Sequence, residues 1–342
     1  MSDLRRCLGS MLVCGFDGGA LPDDFRTLLQ ANSLGGVILF ANNYSNGTHL
    51  SELTAQIHSL SEVPVLLAVD QEGGRVVRFA GDFPAYPSPR YYGLRRDAEG
   101  LLTATARTAE HLHAAGVNLN LIPVCDLAPD DPAHVIHSRS YSSDPEEMAD
   151  MVRLQIKCQR EQGVLSCAKH FPGLASAYGD PHNVVSRSDQ SLADFRQRDY
   201  IPFRAAIDAQ VDMIMVTHLL APQIDANAIA TFSSVFVWQE LREYLGFAGL
   251  VITDDLLMAG ALEGISAAEA GIKAILAGSD LLIYGNLSDN IIPVTEAITQ
   301  AAAADPALAQ WLEESSDRIQ RFKLERLKAQ GERPDPAQCS NR

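Results

Sequence analysis

The stretch KHFPGLASAYGDPHN, residues 169–183, puts a lysine, two histidines and an aspartate within fifteen positions. At neutral pH that is a fixed cation, a carboxylate and two rings that titrate at about pH 6.5. Such a set can hold hydroxyls, balance a charge or move a proton. Other short apolar runs end in the same kinds of residue. Asp70 closes one, followed by Gln71, Glu72, Gly73, Gly74, Arg75 and Arg78. Asp126 closes another, with Arg139 in the loop beyond it. His218 ends a third, and Asp254 with Asp255 ends a fourth. The set has no Gly-rich phosphate loop and no His/Cys group at zinc-ligand spacing, although distant strands can assemble metal ligands. What remains is acids that accept and cations that donate, which suits a polyhydroxylated ligand such as a sugar.

These residues must be positioned by the runs they terminate. Eight such runs recur: 11–18, 36–40, 65–70, 119–126, 164–170, 213–218, 250–255 and 281–285. Most are continuous rather than alternating, as strands covered on both faces should be. Helical patterns lie between them. SDPEEMADMVRLQIKCQREQG has Asp144 as N-cap, Pro145 in the first turn and Gly163 at the exit. Repeated strand–helix alternation predicts an α/β fold, a single (β/α)8 TIM-type barrel, with a doubly wound open sheet as runner-up. The open sheet is disfavoured because no G-x-G-x-x-G follows the first run. In such a barrel the polar strand ends share one mouth, where chemistry sits. The expectation is one domain over 1–342, with the barrel over about 8–330. Residues 79–96 read as one long loop, 306–330 as a terminal amphipathic helix and 331–342 as a frayed tail.

A formal net charge of −16 argues against nucleic acid or an anionic membrane as partner. The six cysteines, Cys7, Cys14, Cys125, Cys158, Cys167 and Cys339, form no CxxC pair and read as reduced side chains of a cytoplasmic protein. The N-terminal apolar run, broken by Gly9 and Ser10, reads as a first buried strand rather than a secretory leader. No run reaches the ~18 apolar residues needed to span a bilayer.

Taken in order, VDQEGGRVVRF, VIHSRSYSSDP, KHFPG, LREYLGFAGLVITDDLLM and AILAGSDLLIYG resemble the bacterial family-3 glycoside hydrolases. In particular they resemble the single-domain β-N-acetylglucosaminidases (beta-hexosaminidases) of cell-wall recycling, over about residues 8 to 290. The resemblance implies that Asp254 is the nucleophile of a retaining hydrolase. It implies that His182, supported by Asp180, is the acid/base. It assigns Asp70, Arg78, Arg139, Lys169 and His170 to sugar binding. A histidine can fill that role because its unperturbed pKa lies near neutrality, and a neighbouring Asp orients the ring. No metal or organic cofactor is implied, and the expected partner is an N-acetylglucosamine-containing cell-wall fragment; the oligomeric state is left open, with a monomer favoured.

The chain departs from the family pattern in one loop. Leu174 and Ala175 stand where the family has His-Gly, and Pro181 stands in place of Ser between Asp180 and His182. The loop length is kept. The alternatives are a catalytically weak sugar-binding barrel, or a β-glucosidase or phosphorylase of the same family. Plainer roles are also open. Asp254–Asp255 could cap a helix, and Arg139 could bridge to Asp144 or Glu146. Arg75 and Met258 read as structural, His111 and His113 as ordinary helix residues, and Asp126 and His218 as lining the site.

Overall fold

The computed structural model describes residues 2–180, 184–287 and 291–327. Eight parallel strands form a closed barrel: β1 (Leu12–Cys14), β2 (Gly36–Leu39), β3 (Leu66–Val69), β4 (Leu119–Asn120), β5 (Leu165–Phe171), β6 (Met213–Val216), β7 (Leu250–Asp255) and β8 (Leu281–Tyr284). Each pairs with its chain neighbours, and β1 closes on β8. Apart from the last two residues of β7, every strand residue is buried. Apolar side chains inside and out explain the continuous runs. The (β/α)8 barrel read from the alternation is therefore the observed fold.

Most strands are shorter than their runs, while β5 and β7 keep the full length of theirs. The N-terminal run also begins in a helix, Ser2–Met11, before β1 starts. That helix packs on the terminal helix Pro306–Arg326, where the Ser10 hydroxyl donates to Ser316 Oγ at 3.1 Å. The expected frayed tail, 331–342, lies outside the described residues, as does the end of the terminal helix expected to reach 330. Residues 79–96 are not all loop. Pro89–Arg95 is a helix, and Gly93 within it lies so close to Tyr141 that a Cβ would meet the Tyr141 carbonyl oxygen at 1.8 Å. That packing is long-range and leaves no local pattern.

The Asp144 cap holds as read. Asp144 accepts from the N–H groups of Glu146 and Glu147 at 3.0 and 2.9 Å, so helix Pro145–Glu161 starts where expected. Ser266 and Glu269 form a reciprocal capping box on helix Ala267–Ala277, which ends on Gly278 at φ 109°. Among the described residues, no helix is long and apolar enough to cross a membrane.

Candidate active site

A cavity of about 340 Å³ opens at the C-terminal end of the barrel. Its lining includes Asp70, Arg75, Arg78, Arg139, Lys169, His170, Asp254 and Met258, contributed by four strand ends or the loops after them. Of the residues singled out from the sequence, Asp70, Arg78, Arg139, Lys169, His170 and Asp254 therefore converge on one wall. His182 lies outside the described residues. Asp180 is described, with its carbonyl accepting from the Val184 N–H at 3.0 Å, and the cavity's described lining does not include it.

The β3–β5 side of the cavity is a buried ion network. The Lys169 ammonium lies 2.6 Å from Asp70 Oδ1 and 2.7 Å from Glu72 Oε1. Arg139 holds Glu72 with both prongs, Nε to Oε2 at 2.8 Å and Nη2 to Oε1 at 2.7 Å. Arg78 closes on Asp70 Oδ2 at 3.1 Å. Burial opposes the charges of Asp70, Glu72, Lys169 and Arg139, and their partners outweigh it. Lys169 and Arg78 hold the Asp70 carboxyl below its usual range. Arg139 and Lys169 hold Glu72 well below it. The same acids push Lys169 and Arg139 upward against the effect of burial. All four therefore stay charged near neutral pH, as a dry, paired set should. The expected bridge from Arg139 to Asp144 or Glu146 is not made. Arg139 turns inward to Glu72, and Asp144 is occupied as a helix cap.

His170 continues the chain of contacts. Arg139 Nη2 lies 3.2 Å from His170 Nε2, and His170 Nδ1 lies 2.6 Å from Asp126 Oδ2. A guanidinium can only donate. In its neutral form His170 therefore accepts on Nε2 and donates from Nδ1 to Asp126. Asp126 also accepts from the backbone N–H groups of His170 and Leu174, at 3.1 and 2.8 Å. The aspartate thus fixes both the ring and the start of the loop that follows.

Asp254 stands on β7. Its Oδ2 accepts from the Thr217 hydroxyl at 2.9 Å and its Oδ1 from the Asp255 N–H at 2.9 Å. Burial would push this carboxyl up. The His218 and His170 rings, the Asp255 N–H and the Thr217 hydroxyl outweigh it and hold the group at about 2. Neither member of the Asp pair caps a helix: the helix that follows, Ala259–Leu262, has Met258 at its N-cap with no side-chain acceptor. Asp255 Oδ1 accepts from the N–H groups of Leu257 and Gly285, at 3.0 and 2.8 Å. Asp254 is left as an ionised carboxylate in a cavity wall, able to act as a nucleophile or to stabilise a cation. His218 is buried between Thr231 Oγ1 and the Asp255 carbonyl, each 2.9 Å away, and that carbonyl can only accept from Nε2–H.

Glu72 and Asp126 matter more than their sequence context suggested. The signal for Glu72 was charge balance: Lys169, Arg78 and Arg139 at one rim cannot all be paired by Asp70. Arg75 is structural, donating to Ser138 Oγ and to the Val135 carbonyl at 3.3 and 2.5 Å. Leu174, at the departure from the family loop, is buried in the cavity wall. Among the described residues no group of His, Cys, Asp and Glu could hold a metal ion.

Comparison with known proteins gives one answer. The model of the glycosyl hydrolase family 3 N-terminal domain matches residues 4–322. A beta-hexosaminidase of Nitrosomonas eutropha is 35% identical over 285 residues, covering 82% of this chain and 81% of its own. A family 3 beta-N-acetylglucosaminidase from Paenibacillus sp. superposes with a TM-score of 0.90 at 28% identity, over 99% of this chain and 65% of that one. A beta-N-acetylhexosaminidase from Beutenbergia cavernae superposes with a TM-score of 0.86 at 28% identity, over 96% of this chain and 98% of that one.

Proposed function

The chain belongs to glycosyl hydrolase family 3, and from that premise we propose that it is a retaining exo-β-N-acetylglucosaminidase acting on N-acetylglucosamine-containing cell-wall fragments in the cytoplasm. The observation that carries the reading is Asp254: an ionised carboxylate held at about 2 beside a cavity rimmed by paired acids and cations. Its similarity to a beta-hexosaminidase and to beta-N-acetylglucosaminidases supports the choice of sugar.

In this mechanism Asp70, Arg78, Arg139, Lys169 and His170 bind the hydroxyls of the terminal sugar. Asp254 attacks the anomeric carbon. The glycosidic C–O bond breaks, and the leaving oxygen takes its proton from His182, which Asp180 orients. A glycosyl ester of Asp254 results. His182 then removes a proton from water, the water attacks the same carbon, and the ester bond breaks to restore the carboxylate. Two displacements return the β configuration. Proton NMR during hydrolysis should therefore record the β anomer of the released sugar first. An α anomer appearing first would overturn the double displacement.

The position of Asp180 outside the described cavity lining favours one second reading, a sugar-binding barrel with little turnover. It predicts N-acetylglucosamine binding without release of a leaving group.

A further inference from the structure

His134, in the loop after β4, reaches across to the loop after β5. The ring is half-buried between them. Its Nδ1 lies 3.1 Å from the Ile136 nitrogen. That N–H can only donate, so Nδ1 accepts and carries no hydrogen. Its Nε2 lies 3.0 Å from the Ala177 carbonyl oxygen. That oxygen can only accept, so Nε2 donates. One tautomer satisfies both contacts at once. On its own side the ring fixes the turn that leads into His137–Arg139, and with it Arg139, which holds Glu72 and meets His170. On the far side it takes the backbone of Ala177, three residues before Asp180.

The geometry points to His134 as a positioning residue, a clip that holds the loop bearing Asp180 against the turn bearing Arg139. Its consequence for turnover rests on the proposed reading, in which the loop bearing Asp180 delivers the proton. Ala177 is buried, so its carbonyl needs a donor from the protein. The loop is fixed at its root, where Asp126 accepts from the Leu174 N–H at 2.8 Å, and at its outer edge, where the backbone of Tyr178 pairs with Arg187. Between those two points His134 ties it to a different loop of the mouth. That second loop is itself braced, since Arg75 donates to the Val135 carbonyl and to Ser138 Oγ, at 2.5 and 3.3 Å. A proton passes only within hydrogen-bond reach of the leaving oxygen, and a misplacement of about 1 Å can cost about a hundredfold in rate. Losing one of several anchors should cost less.

Kinetics with two leaving groups test this, together with hydrogen exchange at one fixed pH. A phenyl β-N-acetylglucosaminide needs its leaving oxygen protonated, whereas the 2,4-dinitrophenyl glycoside loses a stable anion. His134→Ala should lower kcat/KM about tenfold on the phenyl substrate and leave the dinitrophenyl substrate unchanged. A glutamine can donate to Ala177 in place of Nε2, and an asparagine can accept from Ile136 in place of Nδ1. His134→Gln should therefore recover the phenyl substrate, and His134→Asn should not. An equal loss on both substrates, no loss on either, or recovery with Asn but not with Gln overturns the positioning role; a residue that merely shapes its own turn gives one of those patterns. Exchange at residues 177–179 reads the clip without turnover. It should quicken in His134→Ala and His134→Asn and return to the wild-type rate in His134→Gln, and exchange unchanged in all three overturns the clip. A folded wild type that turns over neither glycoside overturns the hydrolase reading instead, and the exchange rates then decide the clip by themselves.

Discussion

Residue by residue, the site is a set of buried charges that survive only as a group. Glu72 is the clearest case, since it carries both Arg139 and Lys169. Glu72→Ala leaves those two cations sharing Asp70, and removing one member of a buried network typically costs roughly 3–5 kcal/mol. Chemical denaturation should show a loss of that order, and turnover should fall with it because Arg139 no longer orients His170. A loss below about 1 kcal/mol would mean that the network is wetter than its geometry implies. Asp254 gives a pH prediction. Its carboxyl is held at about 2, below the ordinary ~4. The stability it contributes is complete above pH ~4 and is lost as pH falls through about 2. Asp254, the proposed nucleophile, thus stays ionised throughout the working range, and any acid limb of kcat/KM near pH 4 to 6 belongs to another group. An Asp254→Glu variant that moved such a limb would contradict this. The sequence made Asp70, Lys169, His170 and Asp254 legible because each ends an apolar run. The partners of Glu72 and Asp126 were not, because contacts between residues 44 to 67 positions apart have no local pattern.

At the scale of elements, helix starts and the barrel order could be read, since caps and continuous apolar runs are local signals. The helix Pro89–Arg95 could not, because its site is set by contact with Tyr141. Gly93→Ala forces a Cβ onto the Tyr141 carbonyl and should lower stability by about 1–3 kcal/mol or more, read in thermal melts. The loop carrying Asp180, of the proposed acid/base pair, is anchored in a way the sequence also hid. Ser176 contacts Ser188 at 2.8 Å and Gln190, and Gln190 Nε2 donates to Asp199 Oδ2 at 3.0 Å. Asp199 is buried with its second oxygen unpartnered among the described residues, and burial pushes its carboxyl up to about 6. A raised folded pKa means its favourable contribution is complete below the ordinary ~4 and fades as pH rises through about 6. Hydrogen exchange at Ser176–Tyr178 and Ser186–Gln190, corrected for intrinsic rate, should quicken between pH 5 and 7. Asp199→Asn should remove that dependence, and an unchanged pH profile in the variant would rule out this anchor.

At the scale of the molecule, one buried lysine has no carboxylate partner among the described residues. Lys323, on the terminal helix, is buried beneath the barrel and donates to the Gly35 carbonyl at 2.7 Å. Burial lowers its pKa to about 7. Between about 7 and the ordinary ~10.4 the unfolded chain holds a proton that the folded chain has lost, so stability gained from this group rises with pH. Lys323→Met should therefore melt above the wild type at pH 6.5, with the gap closing by pH 10; a constant gap would place the ammonium in water. The barrel itself was legible end to end, whereas the closure of its base by the first and last helices was not. The central claim concerns what the assembled mouth does. The most direct measurement is release of p-nitrophenol from its β-N-acetylglucosaminide and from its β-glucoside by the wild type and by folded Asp254→Ala. The account predicts turnover of the N-acetyl substrate alone, lost by at least about a thousandfold in the variant. Turnover that persists in Asp254→Ala would contradict it.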